Sequence, residues 1–249
     1  MKTLKSLVVA AALAALLPAP PALAAGGDVL TIDREFSFEG PFGVYDQAEL
    51  QRGLQVYREI CQACHSLDLV AFRTLSDETG PGLSEEAVRA IAAEYDVPDK
   101  EGMPGDTRAG KPYDYFPKVY GAIGNPPNMS LLAKARPGGA DHIYSIMVAY
   151  TGEEKEQAGS VLYENPAYPG GWISMAPQLT DGQVEYADGT GATVEQMAHD
   201  VSAFLMWAAE PKMVERKQAG VRNVLFLLIF AVLLWFTNKK IWKKVKQSE

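Results

Sequence analysis

The chain has 249 residues, 47% hydrophobic and 10% aromatic, enough apolar material for one large domain or two small ones with a real core. Its formal charge is −8, and between Ala25 and Pro211 the imbalance deepens to 12 Lys and Arg against 29 Asp and Glu, a net of −17. Such a body repels nucleic acid, which excludes that class of partner, and at long range it attracts a basic one, although acidity also serves simply to keep an exported domain soluble.

Residues 1–24 hold a basic start (Lys2, Lys5), an apolar centre from Leu7 to Leu17, and the small-residue site Ala22-Leu23-Ala24. That pattern reads as a secretory signal cut before Ala25; an uncleaved anchor fits less well, because the apolar centre is short and prolines follow it. The exported body is 25–211. Within it, Asp46 followed by Glu49 reads as a capping box, and Leu50, Leu54, Tyr57, Ile60 and Cys64 then recur at helical spacing. Gly53 lies on the same side, where it admits a second helix at close range. Shorter helices are predicted near Ser84–Tyr95 and Asp141–Tyr150, between Gly/Pro-rich loops such as GPGL, EGMPGD and GNPPNMS. Asp181-Gly182 and Asp188-Gly189 bracket QVEY, which predicts a small hairpin. Thr193 with Gln196 opens a last body helix whose stripe is Val194, Met197, Val201, Phe204, Leu205 and Ala208, and Pro211 ends it.

Residues 212–222 read as a juxtamembrane linker. The uncharged window 223–238 holds 16 residues, roughly 24 Å of helix against a hydrocarbon core of ~30 Å. Arg222 and Lys239 reach outward to the headgroups and Trp235 and Trp242 suit the interface, so the window serves as a transmembrane anchor. Apolar residues cover all its faces, which argues against a buried core helix. Residues 239–249 form a basic tail. Lysines and arginines flank the anchor on both sides, so charge orients it weakly. The signal decides: the body is exported and the tail stays in the cytoplasm.

The two cysteines of the chain stand in CQACH, residues 61–65. A disulfide closing so short a loop stabilises little. Zinc wants about four protein ligands, and no second Cys/His cluster completes the set. A thioredoxin-like pair wants a βαβ context that is not visible. The histidine adjoining the second cysteine selects c-type haem attachment: thiols one turn apart each add to a vinyl group, and the next imidazole falls beneath the iron. Cys61 and Cys64 are therefore the expected covalent tethers of one haem c, with His65 as an axial ligand. The expected fold is mostly α: a class I cytochrome c-like haem domain with loop insertions and a small hairpin, its first and last helices crossing beside the haem, plus one C-terminal transmembrane helix.

Methionine in the sixth position raises the potential of a His-ligated haem, a second histidine lowers it, and an empty site permits ligand binding. Met103, Met129 and Met175 sit in predicted loops, whereas Met147, Met197 and Met206 sit in predicted helices and read as core filler. His142 and His199 lie in predicted helices and read as structural or surface residues. Spacing does not choose among the three loop methionines; Gly170-Gly171 before Met175 and Pro177 after it make a stiff, close-approaching loop, which favours Met175.

Over nearly all of its exported length the chain resembles the cytochrome c1 family, the membrane-anchored c-type subunits of the quinol:cytochrome c oxidoreductase (cytochrome bc) complex, in their alphaproteobacterial form. The resemblance rests on RGLQVYREICQACHSLDLVAFRTL, PPNMSLLAKARPGGADHIYSIMVAY, YPGGWISMAP and DGTGATVEQMAHDVSAFLMWAAEPKMVERKQAGV. It implies Met175 as the sixth ligand, Arg136 near a haem propionate, and Pro126 and Pro127 along the haem edge. It also implies an electron carrier that is not an enzyme on its own, held in a bacterial inner membrane with its haem domain in the periplasm. The carrier would take electrons from a Rieske iron–sulfur protein and pass them to a soluble cytochrome c, beside cytochrome b in a dimeric complex. Two departures stand out: YGAIGN before the Pro-Pro pair is brief, and Asn128 replaces a frequent Asp. Two rivals are a membrane-bound c-type cytochrome of a terminal oxidase and an open-site haem enzyme or gas sensor.

Overall fold

The computed structural model describes residues 29–99, 101–121 and 125–246, so the expected signal at 1–24 lies outside the described residues. Helix α1 (Gln47–Glu59) starts at Asp46, whose side chain accepts from the Glu49 N–H at 3.0 Å. The reciprocal half of the capping box is rerouted. Ser37 accepts from the Asp46 N–H (3.2 Å) and donates to the Glu49 carboxylate (2.9 Å), so the segment before the helix is tied to its first turn.

Helix α2 (Glu85–Ala93) is capped by Ser84; α3 (Leu132–Ala135) follows after a long stretch, and α4 (Gly139–Val148) directly after residues 136–138. Helix α5 (Val194–Ala209) is capped by Thr193, whose hydroxyl accepts from the Gln196 N–H at 3.2 Å. Its predicted stripe forms the centre of the core with Leu50, Leu54 and Tyr57 of α1. Gly53 is where the two helices cross: a β-carbon there would lie 2.1 Å from the Asp200 carbonyl oxygen and 2.6 Å from the Phe204 β-carbon. Only a residue without a side chain permits that approach.

One ion pair locks the crossing. Arg52 donates from Nε (3.0 Å) and Nη2 (2.9 Å) to the two oxygens of the fully buried Asp200, and from Nη1 (2.8 Å) to Asp188. Burial raises the pKa of Asp200 in spite of that guanidinium.

The hairpin expected around QVEY does not form. Residues 181–190 make two turns, with the Gln183 N–H on the Thr180 carbonyl (3.2 Å) and the Gly189 N–H on the Tyr186 carbonyl (3.1 Å). Val184 and Tyr186 are both buried in the core, and the flanking backbone is committed to the start of α5. There the Gly182 N–H reaches the Ala192 carbonyl (2.8 Å) and Asp181 accepts from the Val194 N–H (2.8 Å). The real hairpin lies earlier. Strands β3 (Glu154–Gln157) and β4 (Ser160–Glu164) pair antiparallel through Ala158 and Gly159, both at positive φ (52° and 79°), the geometry of a two-residue turn. β4 also pairs with the short β5 (Trp172–Ile173). A separate two-stranded ribbon joins β1 (Asp96–Pro98) to β2 (Thr107–Ala109).

Helix α6 (Met213–Lys246) runs unbroken for 34 residues, about 51 Å at ~1.5 Å per residue. From Met213 onward the segment 212–222 is helical and continuous with the apolar window. Its first turn is docked: Met213 and Val214 are buried, and the Lys217 ammonium donates to the Phe38 carbonyl. None of the apolar window beyond is buried.

Candidate haem site

After Glu59 the chain tightens into a single 3-10 turn, Cys61–Ala63, where the Cys64 and His65 N–H groups both donate to the Cys61 carbonyl (3.2 and 3.0 Å). Two thiols and an imidazole are thereby wound onto one turn at the end of α1. Both cysteines are free. Cys61 packs against the core, and burial, with Cys64 as the lesser cause, pushes its thiol up to about 12, while Cys64 stands exposed.

His65 is buried, and its Nδ1 lies 2.9 Å from the Pro127 carbonyl oxygen. A carbonyl oxygen only accepts, so Nδ1 carries the proton and Nε2 keeps its lone pair. Burial lowers the pKa of the ring against the raising effect of the Pro127 bond, so the imidazole is neutral, the form that binds a metal. From α1, the Tyr57 hydroxyl donates to the His65 carbonyl at 3.1 Å. Ring and backbone of His65 are thus both oriented by partners elsewhere in the chain.

The stretch 65–70 is laced to 125–130. The Met129 N–H donates to the Ser66 carbonyl (2.8 Å), the Leu69 N–H to the Ser130 hydroxyl (3.1 Å), and Asn128 bridges Asp68 and the Ser130 N–H. Asn125 enters this segment at φ 49°, a left-handed position that Asn tolerates. Pro126 is half-buried and the Pro127 ring is exposed. The brief YGAIGN stretch reaches into residues 122–124, outside the described residues.

The three loop methionines have different surroundings. Met103 is 74% exposed in a surface turn, and Met129 is packed in the core. Met175 is half-buried just past β5, with its carbonyl accepting from the Tyr150 hydroxyl at 2.9 Å. Gly170 and Gly171 both hold positive φ (85° and 76°), and open space surrounds the position a β-carbon would take. The loop needs them for its left-handed turn, not for close approach. Arg136 is exposed at the end of α3; it donates only to the Ala135 carbonyl (3.3 Å) and makes no ion pair among the described residues, so its charge is available to an anionic group. His142 is half-buried with a pKa lowered by burial and by Arg136. His199 is held by Glu35 and Glu49.

The family resemblance implied Pro127 at a haem edge, but nothing in the sequence pointed to its carbonyl as the acceptor for His65, or to Tyr57 and Tyr150 as donors to the His65 and Met175 carbonyls. The His65–Pro127 bond spans 62 residues, and no local signal encodes it. The β3–β4 hairpin was missed as well. It carries Glu153, Glu154 and Glu156, all exposed, and through β4 it is hydrogen-bonded to the strand leading into Met175.

Two free thiols and a neutral imidazole with an open Nε2 on one turn suit a covalently tethered haem, and these residues fit that group; no described contact links Met175 or Arg136 to that turn. Comparisons with known proteins show the family of the chain. Residues 36–245 match the family described as the Cytochrome C1 family. The chain is 43% identical to cytochrome c1 of Cereibacter sphaeroides over 98% of its own length and 97% of that protein's. It is 42% identical to the "Cytochrome b-c1 complex catalytic subunit, mitochondrial" of Candida albicans, over 84% of this chain and 76% of that one. A protein of Bradyrhizobium diazoefficiens named "Cytochrome b/c1" is 40% identical over 84% of this chain and 35% of its own length.

Proposed function

Because the chain belongs to the cytochrome C1 family, we propose that it is the electron-transferring haem c subunit of a membrane-bound cytochrome b-c1 complex. The observation that carries this reading is the single turn bearing Cys61, Cys64 and a neutral, pre-oriented His65 at the end of a helix locked into the core. When bound, haem c supplies one-electron oxidation and reduction. The protein's own residues would do the rest. Cys61 and Cys64 would hold the porphyrin covalently, and His65 would present Nε2 while Pro127 retains the Nδ1 proton. Met175 would supply the other iron ligand, its loop fixed by Tyr150. Arg136 would offset a propionate charge, and Pro126 and Pro127 would line the haem edge.

The body lies on the exported face of a bacterial inner membrane after loss of residues 1–24, with α6 as its anchor and residues 239–249 in the cytoplasm. There the chain takes electrons from a Rieske iron–sulfur protein and hands them to a soluble cytochrome c, beside cytochrome b in a dimeric complex. It makes and breaks no substrate bond, so it is a carrier and not an enzyme by itself. The acidic hairpin beside the Met175 strand steers a basic acceptor, so the association rate falls steeply with added salt; a salt-independent rate contradicts the steering.

Purification from membranes in mild detergent tests the whole reading. Cytochrome b and a Rieske protein are expected to accompany the chain, and the reduced haem is expected not to bind carbon monoxide. Terminal-oxidase subunits in their place, or ready carbon monoxide binding, contradict it.

A further inference from the structure

The segment before α1 folds back on itself close to where α6 leaves the body. The Val44 N–H donates to the Ser37 carbonyl and the Glu39 N–H to the Phe36 carbonyl, both at 3.1 Å, so residues 38–43 project as a loop closed at its base. That base is fixed to the core. Phe36 and Phe38 are buried and stacked, with centroids 5.1 Å apart, and the buried Tyr45 donates to the Met206 and Glu210 carbonyls (3.3 and 3.1 Å) at the end of α5. The tip is the opposite. Gly40 turns it at φ 67°, and Pro41, Phe42, Gly43 and Val44 follow without a charge. Phe42 is 78% exposed and Val44 51%. A loop pinned at its base has little freedom left to lose when an apolar surface covers its tip.

The surface within reach is the membrane. The Lys217 ammonium, in the second turn of α6, donates to the Phe38 carbonyl and to the Gly43 carbonyl (3.4 Å). Both ends of the loop are thereby tied to the helix that carries the apolar window. Lys217 stands six residues before Asn223, where the uncharged window opens, about 9 Å along the axis at ~1.5 Å per residue. The headgroup layer is roughly 5–7 Å deep on each side of the hydrocarbon, so the loop is level with its outer border. Lys217 and Arg222 bring positive charge to the same level, which suits anionic headgroups. Apolar side chains beside lysine and arginine are the composition of segments that lie in a membrane interface.

We propose that the loop Gly40–Val44 is a second membrane contact of the body, with Phe42 and Val44 lodged among the headgroups of the bilayer that α6 spans. The inference rests on α6 as the anchor. Two apolar side chains do not hold a body on a membrane by themselves; the loop adds a second point of contact beside the helix, and so sets the tilt of the haem domain over the bilayer.

The test uses the full haem-loaded chain in bilayer discs of phosphatidylcholine and phosphatidylglycerol, with a nitroxide label on Val44→Cys. Saturation of its resonance compares oxygen, which concentrates in lipid, with a water-soluble nickel chelate. Loss of nickel relaxation is expected at position 44, and full nickel relaxation at Met103→Cys in its exposed surface turn. Adding Phe42→Asp, a change at an exposed position, restores nickel relaxation at position 44. Leu228→Cys separates two failures. Nickel access there removes the anchor and this proposal with it, whereas a shielded position 228 beside a nickel-accessible position 44 overturns this proposal alone. Shielding of position 44 that arises only when cytochrome b accompanies the chain assigns the loop to a protein contact and also overturns it.

Discussion

Helices α5 and α6 follow one another with only Glu210, Pro211 and Lys212 between them, yet they are built for different solvents. Eleven of the 16 residues of α5 are buried, two of them polar, and both polar groups are satisfied: Asp200 by Arg52 and Ser202 by the Ala198 carbonyl at 2.7 Å. The apolar window of α6 buries nothing against the rest of the chain. It is apolar all round, as lipid requires, with Phe226 and Phe230 stacked only on each other among its own residues. A helix facing protein needs a stripe and paired polar groups; one facing lipid needs length and the absence of charge. The boundary between the two regimes falls inside α6. Met213 and Val214 belong to the core, and the exposed apolar window long enough to cross a membrane begins only beyond the first turns.

Two truncations expose that boundary most strongly. A chain ending at Gly220 is expected to leave the membrane fraction entirely and keep its haem and its stability. One ending at Pro211 also becomes soluble but loses two buried side chains at ~1.5–3 kcal/mol each, and so is less stable by about 3 kcal/mol or more. Equal stability in chemical denaturation would place the boundary at Pro211 instead. On the α5 side, Gly53→Ala drives a β-carbon into the backbone of Asp200. A loss of about 3 kcal/mol is expected, even though alanine favours helix by ~1 kcal/mol over glycine. A neutral result would mean the crossing has slack.

Asp200→Ala comes next. Breaking a buried pair costs ~3–5 kcal/mol, but Arg52 retains Asp188 and is partly exposed, so about 2 kcal/mol is expected. The smallest effect concerns Asp188, whose carboxyl is held down at about 2 by the Thr190 backbone N–H first, then by the Thr190 hydroxyl and Arg52. A depressed carboxylate contributes stability that is present above its unfolded pKa of ~3.9 and lost as pH falls toward 2. Asp188→Asn is therefore expected to be less stable than the parent at pH 7, with the two converging near pH 2. Parallel curves over that range would show that Asp188 contributes nothing.

The parts legible in the sequence were those with local or periodic causes. Asp46, Ser84 and Thr193 start helices because their side chains accept from N–H groups three residues on. Gly53 marked the crossing because a missing side chain in an apolar stripe has few other uses. QVEY misled because two Asp-Gly turns look like hairpin ends, while its Val184 and Tyr186 are drawn into the core and leave no strand to pair. The true hairpin was hidden because its strands are exposed and charged, without the β-branched alternation that usually betrays one. At the candidate site, the CQACH motif was legible because c-type haem attachment demands fixed spacing. Pro127, Tyr57 and Tyr150 act through carbonyl and hydroxyl groups brought near by folding, which spacing does not record.

The central claim is that this chain holds a porphyrin covalently on the Cys61–His65 turn. Extraction of the purified protein with acidified organic solvent tests it most directly. The red pigment is expected to stay with the polypeptide in the parent and to become extractable once Cys61 and Cys64 are both replaced by alanine. Pigment that leaves the parent protein freely, or a parent that never carries any, contradicts the account.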